Sequence, residues 1–304
     1  TVNIEDVQDQ VELALMRSGE HEVARAYVLY RERRSAERAA QKQVAAEHGD
    51  MHALDNGQQV PLPLGRIETI VRAACVGFGE QVSADAILKE TVKNLYDGVQ
   101  MDEVFKSMIL AARALIEKDP AYSQVTSRLL LHTVRKEVLG EEVLQADMAA
   151  RYVEYFPRFI KHGIEAGLLN DELGRYDLAR LAAALKSDRD LQFSYLGLQT
   201  LVDRYFLHVD GRRIELPQAF FMRVAMGLAL GEVDRETRAI EFYEILSTFD
   251  FMSSTPTLFN AGTRHSQLSS CYLTTVADDL DGIYEAIKEN ALLAKYAGGL
   301  GNDW

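Results

Sequence analysis

The sequence has very little cysteine. Only Cys75 and Cys271 occur among 304 residues. Two thiols cannot supply a Cys-based zinc site, and their wide separation excludes a CxxC redox motif. So low a cysteine content is typical of a reducing compartment, where disulfide scaffolds are rare. We therefore expect a cytoplasmic protein. Since 47% of its residues are hydrophobic, an apolar core is expected to hold it together.

Positive charge and long apolar runs are also scarce. The chain has 33 Lys and Arg against 46 Asp and Glu, a formal net charge of -13, so it lacks the basic surface that binds a nucleic-acid polymer. Small phosphates remain possible ligands, because one arginine can bind a phosphate locally. The most apolar stretch, 220–231, carries Arg223 and is shorter than the roughly 18 residues that span a membrane. It predicts a buried helix and no membrane partner.

Helical periodicity dominates the remaining sequence. A turn is expected at 55–57, a hairpin over 205–216 with its turn at 210–211, and a buried strand over 271–275 that opens an α/β unit. Ser83 is the predicted N-cap of the helix over 83–95. Helices are predicted over 66–78, 83–95, 102–118, 122–139, 220–230, 236–246 and 281–296, with further helical pattern across 148–185. The non-Met start and glycine-rich end lead us to expect a piece of a longer protein.

Taken singly, the candidate chemical motifs have ordinary explanations. His48 and His52 are separated by a glycine in a linker-like stretch, so no metal site is predicted. The acidic run 278–282 fails as a calcium loop, because its first and twelfth positions would be Ala277 and Lys288. It is better explained as an N-cap of the next helix. The glycines at 298–301 indicate a helix stop, and both cysteines fit small core residues.

Three blocks taken together are far more specific. They are SSTPTLFNAGT at 253–263, SSC at 269–271 and KYAGGLG at 295–301. In this order and spacing the sequence resembles the large catalytic (α) subunit of ribonucleotide reductase, class I. The stretches 188–195 and 217–218 resemble the helical domain of that family. The resemblance covers essentially the whole chain.

The resemblance implies a substrate site. Cys271 would be one half of a redox-active pair that reduces the ribose 2′ position, with its partner beyond Trp304. Thr255, Ser270 and Gly299 would contact the nucleoside diphosphate substrate. The enzyme would convert ribonucleotides to deoxyribonucleotides by radical chemistry, and this 304-residue chain alone would be inactive.

The resemblance also implies an allosteric site. Asp278, Asp279 and Leu280 would begin the site where a dNTP effector is held at a dimer interface, and Lys295 would meet its phosphates. The chain itself would bind no cofactor or metal. Its radical would come from a metal-containing β subunit, and its reducing equivalents from thioredoxin or glutaredoxin. The α subunit would form a dimer or a higher oligomer.

The implied fold is mainly α, with four segments. Residues 1–48 would be the end of a first ATP-cone plus a linker, and 49–140 a second ATP-cone. The helical domain with its β-hairpin would occupy 141–250, and 251–304 would begin a ten-stranded α/β barrel. ATP or dATP would bind a functional cone. The second cone is predicted to be degenerate, because Leu54 and Val60 replace charged residues and only Arg66 keeps the expected charge.

Two alternatives remain open from the sequence. One is a non-catalytic, nucleotide-binding module for regulation and oligomerisation, which would depend on the cone-like half. The other is the cobalamin-dependent class of the same family, whose barrel shares these motifs.

Overall fold

A computed structural model describes residues 51–55, 57–296 and 298–304, together with scattered helical positions between residues 11 and 30. The predicted first cone therefore lies almost wholly outside the described residues. The chain divides into two compact units, residues 1–114 and residues 115–304.

In the first unit, strands β1 (His52–Asp55) and β2 (Gln58–Pro61) form an antiparallel hairpin, and β3 (Val99–Gln100) pairs parallel to β1. Gly57 has a φ of 79° in the two-residue turn, which confirms the predicted turn. The strands were not predicted, because each is short and β2 is largely polar.

Three helices complete the first unit: α1 (Leu64–Cys75), α2 (Ala84–Lys93) and α3 (Met101–Ala114). Their apolar faces meet in a core that includes Ile67, Val71, Ile87, Val104 and Met108. The Ser83 hydroxyl accepts a hydrogen bond from the Ala86 amide at 3.2 Å, which confirms the predicted N-cap of α2. Cys75 is only half-buried at the end of α1, so its assignment to the core was wrong.

The second unit is mainly helical. Its helices are α4 (Ala121–Leu139), α5 (Met148–Glu165), α6 (Leu178–Ala184), α7 (Tyr195–Thr200), α8 (Pro217–Leu228), α9 (Arg235–Ser247), α10 (Thr255–Asn260) and α11 (Leu280–Lys295). One short 3-10 helix, Asp171–Arg175, interrupts the predicted helical stretch 148–185. No helix among the described ranges is both long enough and apolar enough to cross a membrane.

Helix α8 is the centre of this unit. Ten consecutive residues from Pro217 to Met226 are buried, which confirms the predicted buried helix. Phe220 and Phe221 contact each other edge-to-face with their ring centroids 5.1 Å apart, and Phe221 also stacks against Phe193. Burial of this many large apolar side chains makes α8 a rigid support for the elements packed on it.

A buried polar network joins α8 to the preceding elements. The Asp190 carboxylate accepts hydrogen bonds from Arg135 at 2.7 Å, from Gln218 at 2.8 Å and from the Tyr152 hydroxyl at 3.0 Å. Burial raises the pKa of Asp190 despite the Arg135 charge, and it raises the pKa of Tyr152 well above its usual range. Asp190 and Gln218 belong to the two stretches that carry the family resemblance upstream, so that signature corresponds to a core network built around the Asp190 carboxylate.

The hairpin consists of β4 (His208–Val209) and β5 (Arg212–Arg213). Asp210 and Gly211 have φ values of 49° and 77°, the left-handed geometry that a two-residue hairpin turn requires. The predicted turn is confirmed, but each strand has only two residues. Residues Leu201–Tyr205 instead form a π-helix that continues α7.

The last part of the chain is a β–α–β unit. Strand β6 (Cys271–Thr275) confirms the predicted strand, and α11 returns the chain to β7 (Gly299–Asp303), which pairs parallel to β6. This confirms an α/β unit, whereas the ten-stranded barrel stays a prediction. The prediction that β6 is buried was wrong. Leu273 is 91% exposed, because among the described residues β6 is hydrogen-bonded only to β7.

Candidate functional site

Cys271, Ser270 and Gly299 lie together where β6 and β7 begin. The Cys271 thiol is free and exposed, and its Sγ lies 3.6 Å from the Ser270 hydroxyl oxygen. Gly299 is the register partner of Cys271, and its amide donates to the Ser270 carbonyl at 2.7 Å. A Cβ at position 299 would lie 3.6 Å from Sγ and 3.2 Å from that carbonyl oxygen. Glycine therefore leaves the space beside the thiol open for a ligand.

Thr255 lies in the first turn of α10 with its side chain exposed. Its hydroxyl is 3.1 Å from the Tyr205 hydroxyl, and the Tyr205 ring stacks on Phe259 with centroids 4.5 Å apart. Tyr205 is the last residue of the π-helix, a rare distortion that occurs frequently at functional sites. Tyr205 thus orients the hydroxyl that we predicted to contact substrate.

The 261–270 loop connects Thr255 to Cys271. The Thr257 hydroxyl donates to the Leu268 carbonyl at 3.0 Å, and the Asn260 amide donates to the Gln267 carbonyl at 2.7 Å. The loop is consequently held against α10 by two side-chain hydrogen bonds. The Gln267 amide also donates to the Tyr296 carbonyl at 2.8 Å, which joins the loop to the end of α11.

The predicted effector residues lie at the opposite end of β6. Asp279 is the N-cap of α11, and its Oδ1 accepts from the Gly282 amide at 2.8 Å, which confirms the predicted cap. Leu280 is 73% exposed and Asp278 is exposed beside it. This end of the unit presents a carboxylate and an apolar side chain to solvent.

Lys295 does not join these residues within one chain. It lies in the last turn of α11, whose 16 residues span about 24 Å. Its ammonium group lies 5.8 Å from the ring centroid of Tyr296, close to the beginning of β7. The structure therefore groups Lys295 with the Cys271 end and separates it from Asp278, Asp279 and Leu280. Among the described residues, no cluster of three or more His, Cys, Asp or Glu side chains could hold a metal ion.

Three residues that contribute to the site were missed as such. Arg223, which donates to the carbonyl oxygens of Leu258 and Ala261 at the end of α10, stands in the sequence only as a charge within an apolar run. Tyr205 and Gln267 carried no sequence signal, because their partners lie 50 and 29 residues away along the chain.

Comparison with known proteins identifies two domains. Residues 191–266 match the all-alpha domain of ribonucleotide reductase, and residues 1–36 match the ATP cone domain. The first of these contains Thr255, Tyr205 and Arg223. The second covers the segment where the end of a cone was predicted.

Individual relatives extend the match to the whole chain. The chain is 45% identical over 311 residues to the ribonucleoside-diphosphate reductase subunit alpha of Chlamydia trachomatis, covering 100% of this chain and 30% of that protein. It is 38% identical to the Helicobacter pylori subunit alpha and 32% identical to the Monkeypox virus large subunit, over 82% and 81% of this chain. The chain thus spans about a third of the length of these relatives. It belongs to the ribonucleotide reductase large-subunit family, in the part that carries the ATP-cone and all-alpha domains.

Proposed function

We propose that the protein to which this chain contributes reduces ribonucleoside diphosphates to deoxyribonucleotides. The observation that carries this proposal is the exposed Cys271 thiol beside Ser270 and Gly299, in a chain of this family. In the overall balance two thiols become a disulfide, and the substrate loses its 2′-hydroxyl as water and gains hydrogen at C2′. Cys271 is one of these thiols, and its partner is proposed to lie after Trp304.

Cysteine substitution in the full-length α subunit tests this role. With a β subunit, a nucleoside diphosphate and thioredoxin present, Cys271→Ser is expected to abolish multiple turnover, because no disulfide can form. Cys75→Ser is the matched control, since the half-buried Cys75 lies in the other unit. Unchanged turnover in Cys271→Ser would refute the assignment and favour the non-catalytic regulatory module.

Thr255, Ser270 and Gly299 are proposed to hold the substrate. A hydroxyl that binds a charged phosphate contributes about 1.5–3 kcal/mol, so Thr255→Ala should raise the KM for the nucleoside diphosphate about 10-fold or more. Thr255→Ser keeps the hydroxyl and should remain close to wild type. Equal KM values for the Ala and Ser variants would contradict this contact.

Asp278, Asp279 and Leu280 are proposed to bind a dNTP effector, with Asp278 accepting a hydrogen bond from the deoxyribose 3′-hydroxyl. Because Lys295 lies at the far end of α11, it can reach the phosphates of this site only from a second copy in a dimer. Calorimetric titration of the dimer with dTTP should show weaker binding for both Asp278→Asn and Lys295→Ala. Loss of affinity in Asp278→Asn alone would remove Lys295 from the site.

The first ATP-cone is proposed to bind ATP or dATP, while the second cone over 49–140 is degenerate. The guanidinium of Arg66 lies over the Phe105 ring, 5.4 Å from its centroid, so it packs within its own unit. Arg66→Ala should therefore leave the number of dATP sites on the chain unchanged in calorimetry. Loss of a site in this variant would show that the second cone is functional.

The radical source decides between classes of the family. We propose a metal-containing β subunit, with thioredoxin or glutaredoxin as reductant and a cytoplasmic location. Full-length α subunit should then be active with β and inactive with adenosylcobalamin alone. The reverse result would place the protein in the cobalamin-dependent class.

A further inference from the structure

Arg223 is a fully buried arginine whose contacts lead to the substrate residues. Its side chain is 0% exposed on α8, and its Nε donates to the Glu215 carboxylate at 2.8 Å. Its Nη2 donates to the same carboxylate at 3.3 Å, and Nη1 faces α10. Nη1 donates to the carbonyl oxygens of Ala261 at 2.8 Å and Leu258 at 3.1 Å. A buried charge is tolerated only when it is paired and hydrogen-bonded in this way.

Helix α10 needs such a partner at its C-terminus. It has only six residues and begins with a proline in its first turn, so it cannot be stable without tertiary contacts. The last carbonyl groups of any helix have no partner within the helix and carry partial negative charge. The Arg223 guanidinium satisfies these acceptors from the protein interior.

The backbone is in direct contact at the same place. A Cβ at Gly227, one turn beyond Arg223, would lie 2.0 Å from the Gly262 nitrogen. Gly262 itself has a φ of +78°, and its carbonyl accepts from the Asn170 amide at 3.0 Å. The end of α10 is thus held in one position on α8.

This fixed end controls the remainder of the site. Thr255 is the first residue of α10, whose C-terminal carbonyl groups are bound by Arg223. Asn260 and Thr257 hold the 261–270 loop that leads to Cys271. We propose that Arg223 is a positioning residue of the reductase reaction, which holds Thr255 and the 261–270 loop in the arrangement that binds substrate. The expected effect on substrate binding rests on the proposed function. The expected effect on the order of residues 255–270 does not.

The test requires a variant that folds. Arg223→Met alone would leave the Glu215 charge buried without its partner, which is strongly destabilising. The double variant Arg223→Met/Glu215→Gln removes both charges and keeps an acceptor for the Leu207 amide, which donates to Glu215 at 2.9 Å. Glu215→Gln alone would likewise leave the Arg223 charge buried without its carboxylate, so it is not used. Tyr243→Phe is the control, because it removes a buried hydrogen bond to Gln218 on α8 without touching the α10 carbonyls. Arg223→Lys tests whether a different cationic side chain at this position can hold the end of α10.

Hydrogen exchange of the 304-residue chain gives the structural result. In the double variant, amides of 255–270 should exchange faster, while those of α5 stay as protected as in wild type. Tyr243→Phe should match wild type at 255–270, and Arg223→Lys should lie between wild type and the double variant. Unchanged exchange at 255–270 in the folded double variant would overturn the proposal.

Steady-state kinetics of full-length α with β and thioredoxin give the functional result. A displaced binding loop should raise the KM for the nucleoside diphosphate about 10- to 100-fold in the double variant, with a smaller change in kcat. The Kd for dTTP should change much less than the KM, because Asp278, Asp279 and Leu280 lie at the other end of β6 and only Lys295 lies near the loop. Unchanged KM, or an equal loss of effector binding, would overturn the positioning role. An inactive wild-type enzyme would instead refute the proposed function, and the exchange experiment would still decide whether Arg223 holds the loop.

Discussion

The contact between Gly227 and Gly262 leads to a quantitative prediction for Gly227→Ala. In an ordinary helix, replacing glycine by alanine stabilises the fold by up to about 1 kcal/mol. Here the new Cβ would lie 2.0 Å from the Gly262 nitrogen and 2.5 Å from the Ala261 carbonyl carbon, whereas ordinary contacts begin near 3.4 Å. Both obstacles are backbone atoms, so α8 and the end of α10 must move apart by more than about 1 Å.

Overpacking of this kind costs about 1–3 kcal/mol and more when backbone must shift, so the clash outweighs the helix propensity. We expect Gly227→Ala to lower the free energy of unfolding by about 2 kcal/mol. Urea denaturation followed by far-UV circular dichroism measures this change.

Gly231→Ala is the control for this substitution. Nothing lies within 4 Å of a Cβ at Gly231, so its free energy of unfolding should change by less than about 0.5 kcal/mol. A Gly227→Ala variant as stable as wild type would show that α8 and the α10 end are not in backbone contact.

Three further predictions concern a buried tyrosine, a helix cap and the thiols. Burial raises the pKa of Tyr243 from 10.0 to about 12; the unfolded chain therefore ionises first, and stability falls between these pH values. Tyr243→Phe should make that fall in stability smaller, as measured by urea titrations at one pH below 10 and one pH above it. An unchanged fall in the variant would contradict this assignment. Asp279→Ala should lower stability by about 1 kcal/mol, because it removes the N-cap of α11, while Asp279→Ser restores the cap; equal melting curves would exclude the cap. Cys271 is exposed and Cys75 half-buried, so a thiol reagent should label Cys271 first in mass spectrometry, and faster labelling of Cys75 would contradict the structure.

Local patterns in the sequence predicted much of the fold. Helix periodicity located α1, α2, α3, α4, α8, α9 and α11 to within a few residues, because side chains three and four positions apart share one helix face. Ser83 was predicted as a cap, and a second cap was predicted within the acidic run 278–282, since a cap bonds within three residues of itself. The turn at Asp210 and Gly211 was equally local. The boundaries of the β1–β2 hairpin could not be predicted, because its strands lack a strong alternation.

The candidate site depended on a different kind of signal. The residues Thr255, Ser270, Cys271 and Gly299 were identified from three motifs in a fixed order, which marked the family but not the geometry. The structure added that Gly299 lies beside Cys271 and that Thr255 faces Tyr205.

The sequence by itself determined the mainly helical fold, the family and the cysteine that carries the proposed chemistry. Only the tertiary structure decided that Arg223 anchors α10, that Gly227 meets Gly262, and that Lys295 lies a full helix length from Asp279. The physical reason is the range of the interactions. Caps, turns and helix faces depend on neighbours a few residues away, whereas the contacts of Arg223 with α10 join groups more than thirty residues apart.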